Sequence, residues 1–304
     1  LADWADYLGA RFEHDVQLPC QLPVIPLGVD SAEMAARAIE MQQDGTCDIA
    51  RNFLRNRERG EVTEVLFAMT IHIVRYSDGS GGLPTSTVNS LINVLNNRMS
   101  STGITFVQEG PILYLDNDDF AVHESSEFCA LVAQDYVPNT MNIYFVPEAD
   151  ACGRASLPLS NTCQGVVVNN ACANPSFNVS TFPHEVGHYL SLYHTHETAF
   201  GNECVSGSNC ASAGDGLCDT PADPLLSGVV DYSDCEYFGT ELDACGSGNP
   251  YTPDTQNLMS YSTKQCRVYF SEEQLSTMTW CAFNQRGSHL RADGVCCFQG
   301  NCLS

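Results

Sequence analysis

Apolar and polar positions fall into blocks of changing period along the chain. Val62 to Tyr76 is a nearly unbroken run of β-branched and apolar residues, the pattern of a strand buried on both faces. The Gly-rich stretch Ser77 to Gly82 ends it. Val88, Leu91, Ile92, Val94 and Leu95 then recur at helical spacing and predict an amphipathic helix over Thr85 to Ser100. Ile104 to Val107, Ile112 to Leu115, Met141 to Val146 and Gly165 to Asn169 read as short strands, and Ser271 to Phe283 as a last helix. Upstream, Ser31 to Arg57 reads as mostly helical, with Ser31 as its N-cap and a break at Asp44-Gly45. It runs into the charged stretch Arg51 to Glu61, either a solvated face or a cleavage-prone junction between a pro-segment and a mature domain. Strands gathered ahead of a helix predict an α+β fold with a mixed, twisted sheet. Three regions follow: an N-terminal helical segment over 1–60, a main domain over 61–289, and a Cys-rich tail over 290–304.

Composition narrows the class. No apolar run approaches the roughly 20 residues that span a bilayer. A formal charge of −24, from 13 Lys+Arg against 37 Asp+Glu, argues against nucleic acid and anionic membranes as partners. Sixteen cysteines at irregular spacings predict disulfides in a secreted, extracellular protein rather than paired metal knuckles. The chain starts at Leu1 without a basic or apolar leader, which reads as a processed product. Asn178-Val179-Ser180 is a glycosylation sequon lying just before the segment that carries the chemistry.

That segment runs from Thr181 to His194. His184, Glu185 and His188 form an H-E-x-x-H pattern, and His194 follows ten residues after the first histidine. Positions i and i+4 share one helix face, so His184 and His188 can present ring nitrogens to one ion. His194 would join from beyond the helix once the chain has turned back, with His196 as the competing third ligand. Three protein ligands leave one position for water, the arrangement of a catalytic zinc. Glu185 is placed to polarise that water as a general base rather than to bind metal.

With the later run Asn257-Leu258-Met259-Ser260-Tyr261, the chain resembles the metzincin metallopeptidases, whose signature joins this histidine motif to a Met-turn. Within them it most resembles the pappalysin family, through Asn142 to Val146, Gly165 to Asn169, His184 to Thr195, Asp215 to Ala222 and the Met-turn with Cys266. The resemblance implies a zinc endopeptidase that acts on protein or peptide substrates. Its cleft would lie between an upper lobe, reaching to about residue 191, and an irregular, disulfide-rich lower lobe with the C-terminal helix. Met259 would be the turn methionine and Tyr261 a stabiliser of the tetrahedral intermediate. Gly165, Val166, Val167, Val168 and Asn169 would form the sheet edge that pairs with extended substrate. Asp215, Asp219 and Thr220 resemble a calcium-binding segment. The resemblance also implies that Cys235 pairs with Cys266, and Cys204 or Cys210 with Cys245.

Ser191 departs from the signature, standing where the family has glycine at a left-handed turn, at a cost of about 1 kcal/mol. The segment after the Met-turn, Thr263 to Arg267, would border the pocket for the residue after the scissile bond. It carries Lys264 and Arg267 rather than acids. Before the catalytic strands, Cys20, Cys47 or Asp44 could occupy zinc's open position and hold the enzyme latent; the alternative is a disulfide between Cys20 and Cys47. A catalytically silent, disulfide-rich zinc scaffold is the competing function, and the intact Glu185 speaks against it.

Overall fold

The long apolar run becomes the central strand β1, Val65–Arg75, with Phe67, Met69, Ile71 and Ile73 wholly buried. Each such side chain contributes about 1.5–3 kcal/mol of hydrophobic stabilisation. The computed structural model describes residues 65–291 apart from 159–162, 175 and 177, together with the short strand pair Cys297–Phe298 and Asn301–Cys302. The expectations placed on residues 1–60, including Cys20, Asp44 and Cys47, lie outside the described residues.

Helix α1 (Thr85–Met99) follows, then β2 (Ile104–Gln108), β3 (Leu113–Asp116), β4 (Met141–Val146), β5 (Gly153–Ala155) and β6 (Val166–Asn169). Helix α2 (Thr181–Tyr189) comes next, and α3 (Glu272–Asn284) and β7 (Leu290–Arg291) close the described domain. The main path of the sheet runs β2-β1-β4-β6-β5, with β3 and β7 also pairing with β1. All pairings along that path are parallel except the last, where β5 runs antiparallel to β6. The mixed α+β architecture is therefore as expected.

One expectation is corrected. The segment Gly165, Val166, Val167, Val168, Asn169 is not the sheet edge, because β5 pairs along its outer side, Gly153 opposite Val168 and Ala155 opposite Val166. The run Val166–Val168 is buried on both faces, which is the pattern of an interior strand. Gly-Arg-Ala is too short and too weakly apolar to announce itself as the strand that covers it.

Helices α1 and α2 lie on one face of the sheet. There Leu91 and Leu95 join Phe182, Val186 and Tyr189 in one cluster, together with Met278 and Ala282 of α3. The other face is covered by Phe128, Leu131 and Val132 packed on Val74, Tyr144, Val146 and Val167. Ser271 caps α3 through Gln274 in a reciprocal capping box. Between His194 and α3 the chain is irregular, and its own buried cluster comprises only Leu226, Val230 and Cys266. Disulfides Cys204–Cys245, Cys210–Cys218 and Cys235–Cys266 hold this part together. Such bonds contribute roughly 2–4 kcal/mol each by restricting the unfolded chain. Cys129–Cys163 and Cys152–Cys172 brace the sheet side, and Cys281 is a buried free thiol.

Candidate active site and metal centre

Asn178 sets the start of α2. Its carboxamide oxygen accepts from the backbone of Ser180 and of Thr181 at 3.2 Å, and its nitrogen donates to Thr181 Oγ1 at 2.8 Å. Buried and so engaged, the sequon asparagine makes the turn that leads into the helix rather than offering an exposed acceptor for sugar. One turn in, His184 and His188 point the same way. After Leu190 the chain reverses at Ser191, whose φ is +80°, with Leu192 N bonded back to Gly187 O at 2.9 Å. The left-handed turn expected of the family's glycine is thus made by serine, at a cost of about 1 kcal/mol.

This reversal delivers His194. The Nε2 atoms of His184, His188 and His194 lie 3.0–3.2 Å from one another. His184 Nδ1 donates to Leu258 O at 2.7 Å and His188 Nδ1 to Leu192 O at 2.8 Å. Those bonds place the proton on Nδ1 and leave both Nε2 atoms with lone pairs. Lone pairs converging at this distance repel unless a cation sits among them. The residues therefore fit a metal ion on the chemistry of the donor set. His196 stands outside the triad, its ring stacked 4.9 Å from that of His194.

Burial depresses the histidines further. It holds His184 well below the ordinary imidazole range and takes His188 to about 4 and His194 to about 3, the neighbouring rings adding to the effect at His184 and His194. Neutral imidazole is the ligating form. Glu185 moves the other way, pushed up to about 8 by burial against the opposing pull of Arg267 and Lys264. Its carboxyl lies against β5: a Cβ added at Gly153 would come within 2.5 Å of Glu185 Oε1.

Met259 is fully buried beneath the triad, and its sulfur would lie 2.6 Å from a Cβ added at Gly187 of α2. The turn is held by Asn257, whose Oδ1 accepts from Met259 N at 2.8 Å while its carboxamide pairs reciprocally with Gln274 of α3. Tyr261, 44% exposed, stands at the mouth with its ring 4.6 Å from that of His194. A cavity of about 400 Å³ opens here, between β5 and α2 on one side and Tyr261, Lys264 and Arg267 on the other.

The expected calcium segment is divided. Thr220 Oγ1 donates to both oxygens of Asp215, at 2.9 and 3.0 Å. Asp219 instead turns to α3, accepting from Ser271 Oγ at 2.7 Å and from Glu273 N at 2.8 Å. A charge at the N-terminus of a helix is favourable there, which explains the commitment. The acid that Asp215 does influence is Glu203, which sequence reasoning missed. Burial takes Asp215 from 3.8 to about 7, and burial with the Asp215 charge takes Glu203 from 4.5 to about 7.

These raised values have a sign. At these two carboxyls the folded state binds more protons than the unfolded one between the unfolded and the folded pKa, so their contribution to stability falls as pH rises through that window and levels above it. The Tm of the wild type minus that of Glu203→Gln should therefore fall between about pH 4 and pH 7, followed by thermal unfolding across that range. Parallel curves would remove Glu203 from this account.

Residues 139–282 match the family model described as Pregnancy-associated plasma protein-A. An extracellular metalloprotease of Sordaria macrospora is 30% identical over 229 residues, covering 70% of this chain and 73% of that protein. One of Colletotrichum graminicola is 29% identical over 231 residues, covering 70% and 75%. Among solved structures, mirolysin in complex with compound 9 has a TM-score of 0.56 at 17% identity, covering 73% of this chain and 96% of that chain. Mature mirolysin of Tannerella forsythia in complex with a cleaved peptide has a TM-score of 0.51 at 19% identity, with the same coverage of each chain. At these identities the structural likeness concerns the fold.

Proposed function

The chain belongs to the pappalysin, or pregnancy-associated plasma protein-A, family of metalloproteases, and from that premise we propose that it is a secreted, zinc-dependent endopeptidase. The observation that carries this reading is the convergence of three Nε2 atoms beside the buried Glu185 carboxyl, at the edge of an open cavity. His184, His188 and His194 would hold the zinc. When bound, the ion supplies Lewis acidity that acidifies water and polarises a carbonyl.

Glu185 would take a proton from the attacking water onto its carboxylate and pass it to the leaving amine. Burial strengthens the carboxylate as a base, and a general base gains most when its pKa lies near the working pH. The Tyr261 hydroxyl, beside His194, would donate to the oxygen on which charge develops. An extended peptide would lie along the open side of β5, the outermost strand of the sheet path, by main-chain hydrogen bonds. Gly153 would let that peptide backbone pass close to Glu185, since a side chain there would fill the carboxyl's place. The extracellular naming of the relatives and the five disulfides among the described residues support secretion.

A polypeptide blocked at both ends tests the endopeptidase reading. Zinc-loaded protein should release internal fragments from it, identified by mass spectrometry. An intact blocked polypeptide, with end-trimming of its unblocked counterpart, would contradict the reading.

A further inference from the structure

The cavity beside Glu185 carries charge that the hydrolysis itself does not require. Arg267 is only 6% exposed. Its Nη1 donates to Ser260 O at 3.2 Å, but its Nε is buried with no hydrogen-bond partner. Lys264 Nζ donates to Cys152 Sγ and, at 3.2 Å, to Cys172 Sγ. Disulfide sulfurs are weak acceptors, and among the described residues neither cation has an ion-pair partner. Glu185 is the sole acid among the described residues that line the cavity.

A buried guanidinium without a carboxylate is costly, and the natural completion is a charge-assisted, two-pronged bond to one. Among the described residues no acid stands within ion-pair distance of either cation. The chain's acidic surface would not gather acidic substrates from a distance, because exposed charges are screened beyond about 8 Å at physiological salt. Selection must therefore come from the pocket.

We propose that this cavity selects substrates by a carboxylate carried on a residue flanking the scissile bond, with Lys264 and Arg267 as the specificity-determining residues. The carboxylate belongs to an Asp or Glu side chain, because a chain end held there would make the enzyme a carboxypeptidase and not the endopeptidase read above. The inference rests on the protease reading above and adds the substrate class. A competing role for the two cations is to steady the Glu185 carboxylate, on which both act. That role would affect every substrate alike.

The experiment uses the full, zinc-loaded chain and matched peptides that carry Glu, Gln, Leu or Lys at each position flanking one bond. Each peptide is made with a free and with an amidated C-terminus. The wild type should cleave a Glu peptide about tenfold faster, in kcat/KM, than its Gln twin. In Lys264→Gln that ratio should fall toward one, and Lys264→Glu should reverse the preference toward Lys. Arg267→Gln should act in the same direction; because Arg267 is buried and that variant can fail to fold, the less buried Lys264 carries the test. Fluorescence binding of the Glu and Gln peptides to Glu185→Gln protein should show the same preference without turnover. Cleavage that depends on a free C-terminus overturns the side-chain proposal together with the endopeptidase reading, and insensitivity to amidation supports the side chain.

Equal rates for Glu and Gln, or faster cleavage of Lys peptides by the wild type, overturn the carboxylate proposal and leave the protease reading standing. A uniform loss for all peptides in Lys264→Gln, with a displaced pH profile and an unchanged Glu:Gln ratio, overturns it in favour of the steadying role. Cleavage of no peptide at all overturns the protease reading and the proposal with it.

Discussion

Glu185→Gln is expected to lower peptide hydrolysis by about 10²- to 10⁴-fold, the range that a positioned general base supplies. The substituted carboxamide keeps the volume and polarity of the side chain but cannot accept the proton. Zinc content should stay at the wild-type level, because His184 and His188 are oriented by the carbonyls of Leu258 and Leu192 and not by Glu185. Metal analysis alongside the rate measurement separates a lost base from a lost ion. A variant that keeps its zinc and its rate would show that Glu185 is a packing acid.

Gly153→Ala tests the rim strand. An added Cβ would meet Glu185 Oε1 at 2.5 Å and its Cδ and Cγ at 2.6 Å, so the whole carboxyl must move. Displacement of a catalytic group by about 1 Å costs on the order of 10²-fold in rate. The strand is fixed by its pairing with β6 and by the disulfide from Cys152 to Cys172 beside it, so β5 cannot readily retreat. We expect folded, zinc-bearing protein with activity reduced by about that factor. Full activity would mean that strand and carboxyl adjust together, and that Gly153 is not needed for the approach.

The chemistry was legible in the sequence because it is local. His184 and His188 share a helix face by spacing alone, and the chain between Tyr189 and His194 is short enough to require a single reversal. Ser191 was visible as a position in need of left-handed backbone, and its φ of +80° meets that need. The elements α1, β4 and α3 followed from apolar period and capping, within about one residue at each end, and β1 ends one residue before Tyr76. The pairing of Cys235 with Cys266 matched the resemblance, and Cys204, not Cys210, joins Cys245.

What stayed hidden depends on contacts between distant segments. Nothing in Gly153-Arg154-Ala155 marks a strand; pairing with β6 makes it one and moves the open edge away from Gly165–Asn169. Asp215 and Asp219 lie four residues apart, yet Asp219 is claimed by the start of α3, more than fifty residues on. Glu203 gives no sign in sequence that it approaches Asp215, because the irregular region between them folds without a period to read. Tertiary capping and cross-chain burial decided these cases, and neither leaves a local pattern.

Titration of metal-stripped protein with zinc asks whether hydrolysis depends on one ion at the three histidines, with digestion of an unfolded protein as the readout. No digestion is expected without metal, then a rise proportional to added zinc, and a break at one equivalent per chain that His194→Ala abolishes. Digestion that survives complete removal of the metal, or that is unaffected by His194→Ala, would contradict that dependence.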